Sequence, residues 1–284
     1  MGNLIEKQKN DGEIQHYRYN ADNQLAEAEI HRPGQTAVLY RYRYDPIGRR
    51  IAKVHPDGNE IQYLWDGSRL LQEYSDKATY TYVYTEQGSY EPLAQIVQMT
   101  NTDNNKVGRQ ILYYHNNQIG IPREMTDEEG NIVWSGDYSG WGKLTQEGRL
   151  KLDIHQPFRL QNQYYDEETG LHYNFFSYYD PEIGRFTQQD PIGLEGGTNF
   201  YNFAASTTNS VDVLGLTNFK YHGNWCGPGW TGGNWESYSS QNDQNGYYKQ
   251  PETFAKFPPK SPKFPPRHLG DFPWAPSSGK PPKP

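Results

Sequence analysis

An all-β chain built from stacked antiparallel β-hairpins is the fold class this sequence predicts, and three observations predict it. Aromatic residues recur at every second position in short runs. Several of those runs end in turn sequences bearing Asp and Gly. Aromatics make up 15% of the 284 residues, with 24 Tyr, although the whole hydrophobic share is only 34%. Tyrosine suits a pleated, half-buried surface because its ring packs while its hydroxyl stays hydrogen-bonded or wet. A β-rich protein with a thin core follows.

The elements can be justified in order. Tyr17 and Tyr19 give the first alternation. Tyr40, Tyr42 and Tyr44 then fall on one face of a strand, with Arg41 and Arg43 on the other, and Tyr80, Tyr82 and Tyr84 repeat the arrangement. Turn chemistry follows in Tyr44-Asp45-Pro46-Ile47-Gly48, Trp65-Asp66-Gly67, Tyr165 to Gly170 and Tyr179 to Gly184. Aspartate caps such a turn through its side chain, proline presets φ, and glycine supplies a positive φ. A lone hairpin cannot bury its own apolar face, so the hairpins must stack into a continuous sheet. A fragment of such a sheet is expected to leave edge strands unpaired and an inner face exposed.

Residues 145–165 are less strand-like, and no element is assigned there. After Leu216 the composition changes: 217–250 is rich in Gly, Asn, Ser, Trp and Tyr, and 258–284 holds ten of the 20 prolines. The expected organisation is a hairpin body over 1–216, a Gly/aromatic-rich segment over 217–250, and a Pro-rich, extended and largely irregular tail over 251–284.

The net charge of −7 argues against a general nucleic-acid binder. No run approaches the roughly 20 apolar residues of a membrane span, and the first residues lack the apolar core of a secretory signal. If the chain leaves the cell, a dedicated machine or a larger parent chain must carry it, so the expected location is cytoplasmic until export and then secreted or cell-surface associated. A single cysteine, Cys226, excludes an internal disulfide and a multi-cysteine metal site.

The most informative motif is Tyr178-Tyr179-Asp180-Pro181-Glu182-Ile183-Gly184-Arg185-Phe186, which runs on to Asp190-Pro191-Ile192-Gly193-Leu194. A second Asp-x-x-Gly-Leu unit follows at Asp212-Val213-Leu214-Gly215-Leu216. With Gly196, Gly197, Asn199 and Tyr201 between them, and Gly120, Pro122, Asp127, Gly130, Trp134 and Trp141 upstream, the run resembles the C-terminal end of the core in Rhs/YD-repeat proteins. These are bacterial shells that encapsulate and deliver toxins in interbacterial competition.

The resemblance implies a spiral sheet and a self-cleavage point after the second motif. Carried over by position, Asp190 and Asp212 are the catalytic candidates, Arg185 orients a carboxylate or the cleaved segment, and the scissile bond is Leu216–Thr217. The chemistry is sound: two carboxylates held close cannot both ionise, so one acts as acid while the other activates water. This chain departs from the family pattern at Val213, where the motif has Pro, and at Ser206-Thr207, where the spacer has Asn-Pro. The plainer reading, that both aspartates only cap Asp-x-x-Gly turns as Asp45 and Asp166 would, stays open. The implied partners are upstream Rhs repeats or a parent shell, a cognate immunity protein and a secretion-system spike protein, with no nucleic acid.

In the tail, Tyr221 to Gly233 resembles the calcium-binding loop of secreted-type phospholipase A2 domains. There, backbone carbonyls around Trp225, Gly227 and Gly229 would hold Ca²⁺. The His-Asp dyad that such an enzyme needs is missing: His268 is followed by Leu269-Gly270-Asp271, at the wrong spacing and within a Pro-rich run. A truncated, inactive lipase tip is therefore the expectation, with a Gly-rich linker as the plainer alternative. No cofactor is expected for the body. A third class of function is an interaction protein whose tail is read at Pro-x-x-Pro spacing, as in Pro259-Lys260-Ser261-Pro262.

Overall fold

The computed structural model describes residues 2–86, 88–99, 108–149, 154–191, 199–203, 210–212, 214–215, 218–222, 234–239 and 248–249. Every regular element among them is a strand or a turn. The first ones are β1 (Glu6–Gln8), β2 (Ile14–Tyr19), β3 (Leu25–His31), β4 (Val38–Tyr44), β5 (Arg50–Val54), β6 (Glu60–Asp66) and β7 (Arg69–Tyr74). They continue as β8 (Ala78–Tyr84), β9 (Pro92–Met99), β10 (Arg109–Asn116), β11 (Pro122–Thr126), β12 (Ile132–Tyr138) and β13 (Leu144–Arg149). These thirteen strands pair in sequence order as one antiparallel meander.

The expected alternation holds. In β4, Tyr42 is buried while Arg41 and Arg43 are exposed, and in β8 Tyr82 is buried while Val83 is exposed. The Asp45 carboxylate caps its turn, accepting from the amides of Ile47 (3.1 Å) and Arg49 (2.9 Å).

A recurring bond joins one hairpin to the next. The aromatic side chain at the outgoing end of β2, β4, β6 or β8 donates to a main-chain carbonyl of the preceding hairpin or lead-in strand. Tyr19 Oη reaches Leu4 O (2.9 Å), Tyr44 Oη reaches Leu25 O (2.7 Å), Trp65 Nε1 reaches Arg50 O (2.8 Å) and Tyr84 Oη reaches Leu70 O (2.7 Å). At each of these aromatics the ladder also slips register, a bulge that bends the strand and turns the ring toward its neighbour. The aromatic repeat thus serves both packing and stacking.

The inner face is not left bare, as a fragment of wall would leave it. A second antiparallel sheet of β14 (Tyr164–Asp166), β15 (Leu171–Asn174), β16 (Ser177–Asp180) and β17 (Arg185–Phe186) fills it. One core joins Tyr17, Tyr42, Tyr82, Leu112 and Trp134 of the wall to Phe158, Tyr164, Leu171, Tyr173 and Tyr178 of the inner layer. Every residue of β15 and β16 is buried. Accordingly, 154–163, where no element was assigned, forms a buried lead-in that bridges to β14 through Phe158 and Tyr164.

Both ends of the wall meet over one turn of this inner sheet. Lys7 on β1 pairs with Asp180 (2.7 Å) and Glu182 (3.0 Å), while Lys143, between β12 and β13, pairs with Glu182 (2.8 Å). Tyr179 Oη donates to Trp141 O (2.9 Å) and Leu4 N donates to Thr187 O (2.7 Å). The wall therefore curls around its own filling. The remaining strands, β18 (Ser210–Val211), β19 (Asn218–His222), β20 (Asn234–Ser239) and β21 (Tyr248–Lys249), form a third sheet that begins before Leu216 and continues after it.

Candidate functional site

The tight turn between β15 and β16 organises the candidate site. Phe175 adopts φ 54°, a left-handed conformation that lets two aromatic residues reverse the chain. The segment carrying the second motif lies against this turn. Asn174 Nδ2 donates to Asp212 O (2.7 Å), Phe176 N to Leu214 O (3.3 Å) and Ser177 Oγ to Gly215 O (3.3 Å). Asp212 is buried, and its Oδ1 accepts from the amides of Leu214 (3.3 Å) and Gly215 (2.8 Å). Gly215 has φ 71°, and a Cβ there would sit 2.8 Å from Asn174 O, so glycine is required both by conformation and by the close approach of the turn.

The first motif is fixed to the same hairpin from the other side. Gln188 Nε2 donates to Phe176 O (3.0 Å) and to Asn23 O (3.1 Å), which ties the segment to the wall as well. Phe186 N donates to Tyr201 O (2.9 Å) and Asp190 N to Phe200 O (2.9 Å). Asp190 is half-buried. Both predicted aspartates thus belong to segments anchored at the β15–β16 turn. Arg185 is exposed on β17, with its guanidinium 4.9 Å over the Tyr201 ring. Leu216 and Thr217 lie outside the described residues, as do Trp225, Gly227 and Gly229.

The densest charged constellation is one that sequence reasoning missed. Arg50 and Lys53 on β5 point into the core, where Asp166 pairs with both and Glu168 pairs with Lys53 (3.0 Å). All four are buried. The Arg50 guanidinium lies 4.5 Å from the Tyr173 ring centroid, 4.8 Å from Tyr63 and 5.2 Å from Tyr164. Burial works against both cations, yet Asp166 and Glu168 raise the Lys53 ammonium above its ordinary range, and Asp166 does the same for Arg50.

Asp166 was expected to cap its turn. Its carboxylate is instead spent on Arg50 and Lys53, and only its main-chain carbonyl closes the turn, accepting from Gly170 N (2.8 Å). The four charges balance and the arrangement holds the inner sheet to the wall. Its one sequence signal is Arg50 and Lys53 close together in a short strand that otherwise carries Ile51, Ala52 and Val54.

A second buried carboxylate, Glu73, accepts from Tyr82 Oη and Tyr164 Oη (2.6 Å each) and pairs with His155. Among the described residues no group of three or more His, Cys, Asp or Glu is arranged to hold a metal ion, and no helix is long and apolar enough to cross a membrane.

A family model described as RHS protein matches residues 111–148, which span β10 to β13. The chain is 37% identical, over 76% of its length, to double-stranded DNA deaminase toxin A of Burkholderia cenocepacia, and 33% identical, also over 76%, to toxin protein Tse5 of Pseudomonas aeruginosa. It spans only 16% and 18% of those two proteins. Among solved structures it resembles the Photorhabdus luminescens Tc holotoxin pore, with a TM-score of 0.59 at 20% identity, over 71% of this chain and 10% of that one. At that identity the likeness concerns the fold, a curled hairpin wall.

Proposed function

The chain belongs to the RHS family, and from that premise we propose that it is the C-terminal part of a polymorphic toxin. In this reading it encloses and delivers a toxic segment in interbacterial competition and cuts itself after Leu216. Residues 1–216 are the closing piece of the shell, 217–250 the start of the released segment and 251–284 its Pro-rich end. Asp212 and Asp190 supply the acid–base pair. The upstream repeats, a spike protein of the export machinery and an immunity protein are the proposed partners.

One observation carries the reading. The main-chain carbonyls of Asp212, Leu214 and Gly215 accept from the same hairpin turn that anchors the segment leading to Asp190. Holding a peptide still is part of what hydrolysis of one defined bond requires, because orientation removes much of the entropic barrier. The two amides bonded to Asp212 Oδ1 fix the direction in which its carboxylate is presented.

Intact-mass measurement of the purified 284-residue chain tests the proposal. We expect two products divided between Leu216 and Thr217, and full-length chain from Asp212→Asn and from Asp190→Asn. Full-length protein alone from the unaltered sequence would sink the self-cleavage reading.

A further inference from the structure

We propose that His16 and His31 form a surface site for a divalent transition-metal ion, of the Zn²⁺ or Ni²⁺ class, on the outer face of β2 and β3. This inference is independent of self-cleavage. On that face Glu6, His16 and Glu29 are direct cross-strand neighbours on β1, β2 and β3. His31 stands two residues on from Glu29 along β3. Gln15 and Tyr17, the alternate residues of β2, are buried, which turns His16 outward. The His16 and His31 side chains are 40% and 43% exposed, so an ion reaches both from solution.

The spacing of the two rings fits one shared ion. Their centres lie 5.2 Å apart with the planes at 84°. This is the one contact between two imidazoles among the described residues. A Zn–N bond of about 2.0–2.1 Å puts an imidazole centre about 3.2 Å from the metal, so two imidazoles on one tetrahedral ion sit about 5 Å apart.

The neighbouring carboxylates decide which nitrogens are free. Glu6 Oε2 faces His16 Nδ1 at 3.6 Å, and Glu29 Oε1 faces His31 Nε2 at 3.5 Å. Each carboxylate is held by its other oxygen: Gln8 Nε2 donates to Glu6 Oε1 (2.8 Å), and Arg18 Nη2 donates to Glu29 Oε2 (2.8 Å). A metal-binding imidazole usually gives its other N–H to a carboxylate or carbonyl, which fixes the tautomer and the ring direction. With that N–H turned to the carboxylate, His16 Nε2 and His31 Nδ1 keep their lone pairs, and neither has a hydrogen-bond partner among the described residues.

Two imidazoles are the only protein ligands in this site, with water in the other positions, so it needs no cluster of three. Nitrogen donors suit Zn²⁺, Ni²⁺ and Cu²⁺, whereas Ca²⁺ and Mg²⁺ take oxygen ligands. The charges of Glu6 and Glu29 offset that of the dication. An ion bound there bridges β2 to β3 beside β1, the first edge of the wall.

The test titrates the full 284-residue chain, carrying no affinity tag, with ZnCl₂ and separately with NiCl₂, near pH 7.5. CaCl₂ is the control, and calorimetric binding and thermal unfolding are read. We expect saturable uptake with a rise in Tm of about 3–6 °C at ten times Kd, and no response to CaCl₂.

Other histidines and Cys226 are also metal-ligating types, so variants assign the site. His16→Ala and His31→Ala should each remove one equivalent of uptake or weaken it at least tenfold. Glu6→Gln, which keeps both rings, should weaken it about 10–100-fold, the usual effect of losing an orienting carboxylate. Circular dichroism checks that these exposed substitutions leave the fold intact. No uptake of either metal overturns the proposal, as does uptake of unchanged stoichiometry and affinity in His16→Ala and His31→Ala.

Discussion

At the scale of single residues, Arg50 shows how tertiary context overrides local pattern. Hydropathy alone would turn Ile51 inward and Arg50 outward on β5. The reverse holds, with Ile51 39% exposed and Arg50 1%. A buried guanidinium is tolerable only because Asp166 and a ring of tyrosines receive it. Replacing Asp166 with Ala should therefore cost about 3–5 kcal/mol, the penalty for leaving a buried charge unpaired, read as a fall in the urea midpoint. The aromatic staples predict a smaller effect. Tyr84→Phe keeps the ring and deletes the bond to Leu70 O, so it should destabilise by about 1–3 kcal/mol in the same assay.

At the scale of elements, the turns are the most legible features in the sequence. Asp45, Pro46 and Gly48 behave as turn residues of those types should, because their hydrogen bonds close within five positions. The Tyr179–Gly184 turn is equally legible as a turn, but its packing is not. Gly184 has φ 69°, and a Cβ there would meet the Trp141 ring at 2.8 Å. Gly184→Ala should thus cost more than the roughly 1–2 kcal/mol of a left-handed alanine. Gly58→Ala, at φ 88° with open space around it, should cost no more than that conformational penalty. Chemical denaturation of the two variants side by side checks the contrast. Neither aspartate motif shows in the sequence that its segment is fastened to the Phe175–Phe176 turn, since those bonds join residues 12 to 38 positions apart.

At the scale of the whole molecule, closure of the wall rests in part on Glu182, which receives Lys143 and Lys7 from the two ends. Hydrogen bonds from Lys143 and Lys7 depress its pKa from 4.5 to about 2. Because the folded-state value is lowered, the unfolded chain takes up a proton first as pH falls. The contribution is complete above about 4.5 and lost on the way down through 2. The difference in Tm between the unaltered chain and Glu182→Gln should accordingly be constant above pH 5 and shrink toward zero near pH 2, the carboxylates common to both cancelling. What the sequence by itself determined is local: the all-β class, the hairpin repeat, the inward tyrosines and the family, all written in patterns a few residues long. Only tertiary packing decides that this stretch of wall curls around an inner sheet of its own, that Asp166 serves Arg50 and Lys53 with its carboxylate rather than its turn, and that Arg159 is buried against the Tyr165 ring. Those facts depend on which distant side chains are brought into one low-dielectric space, and neither periodicity nor spacing encodes charge balance across a core.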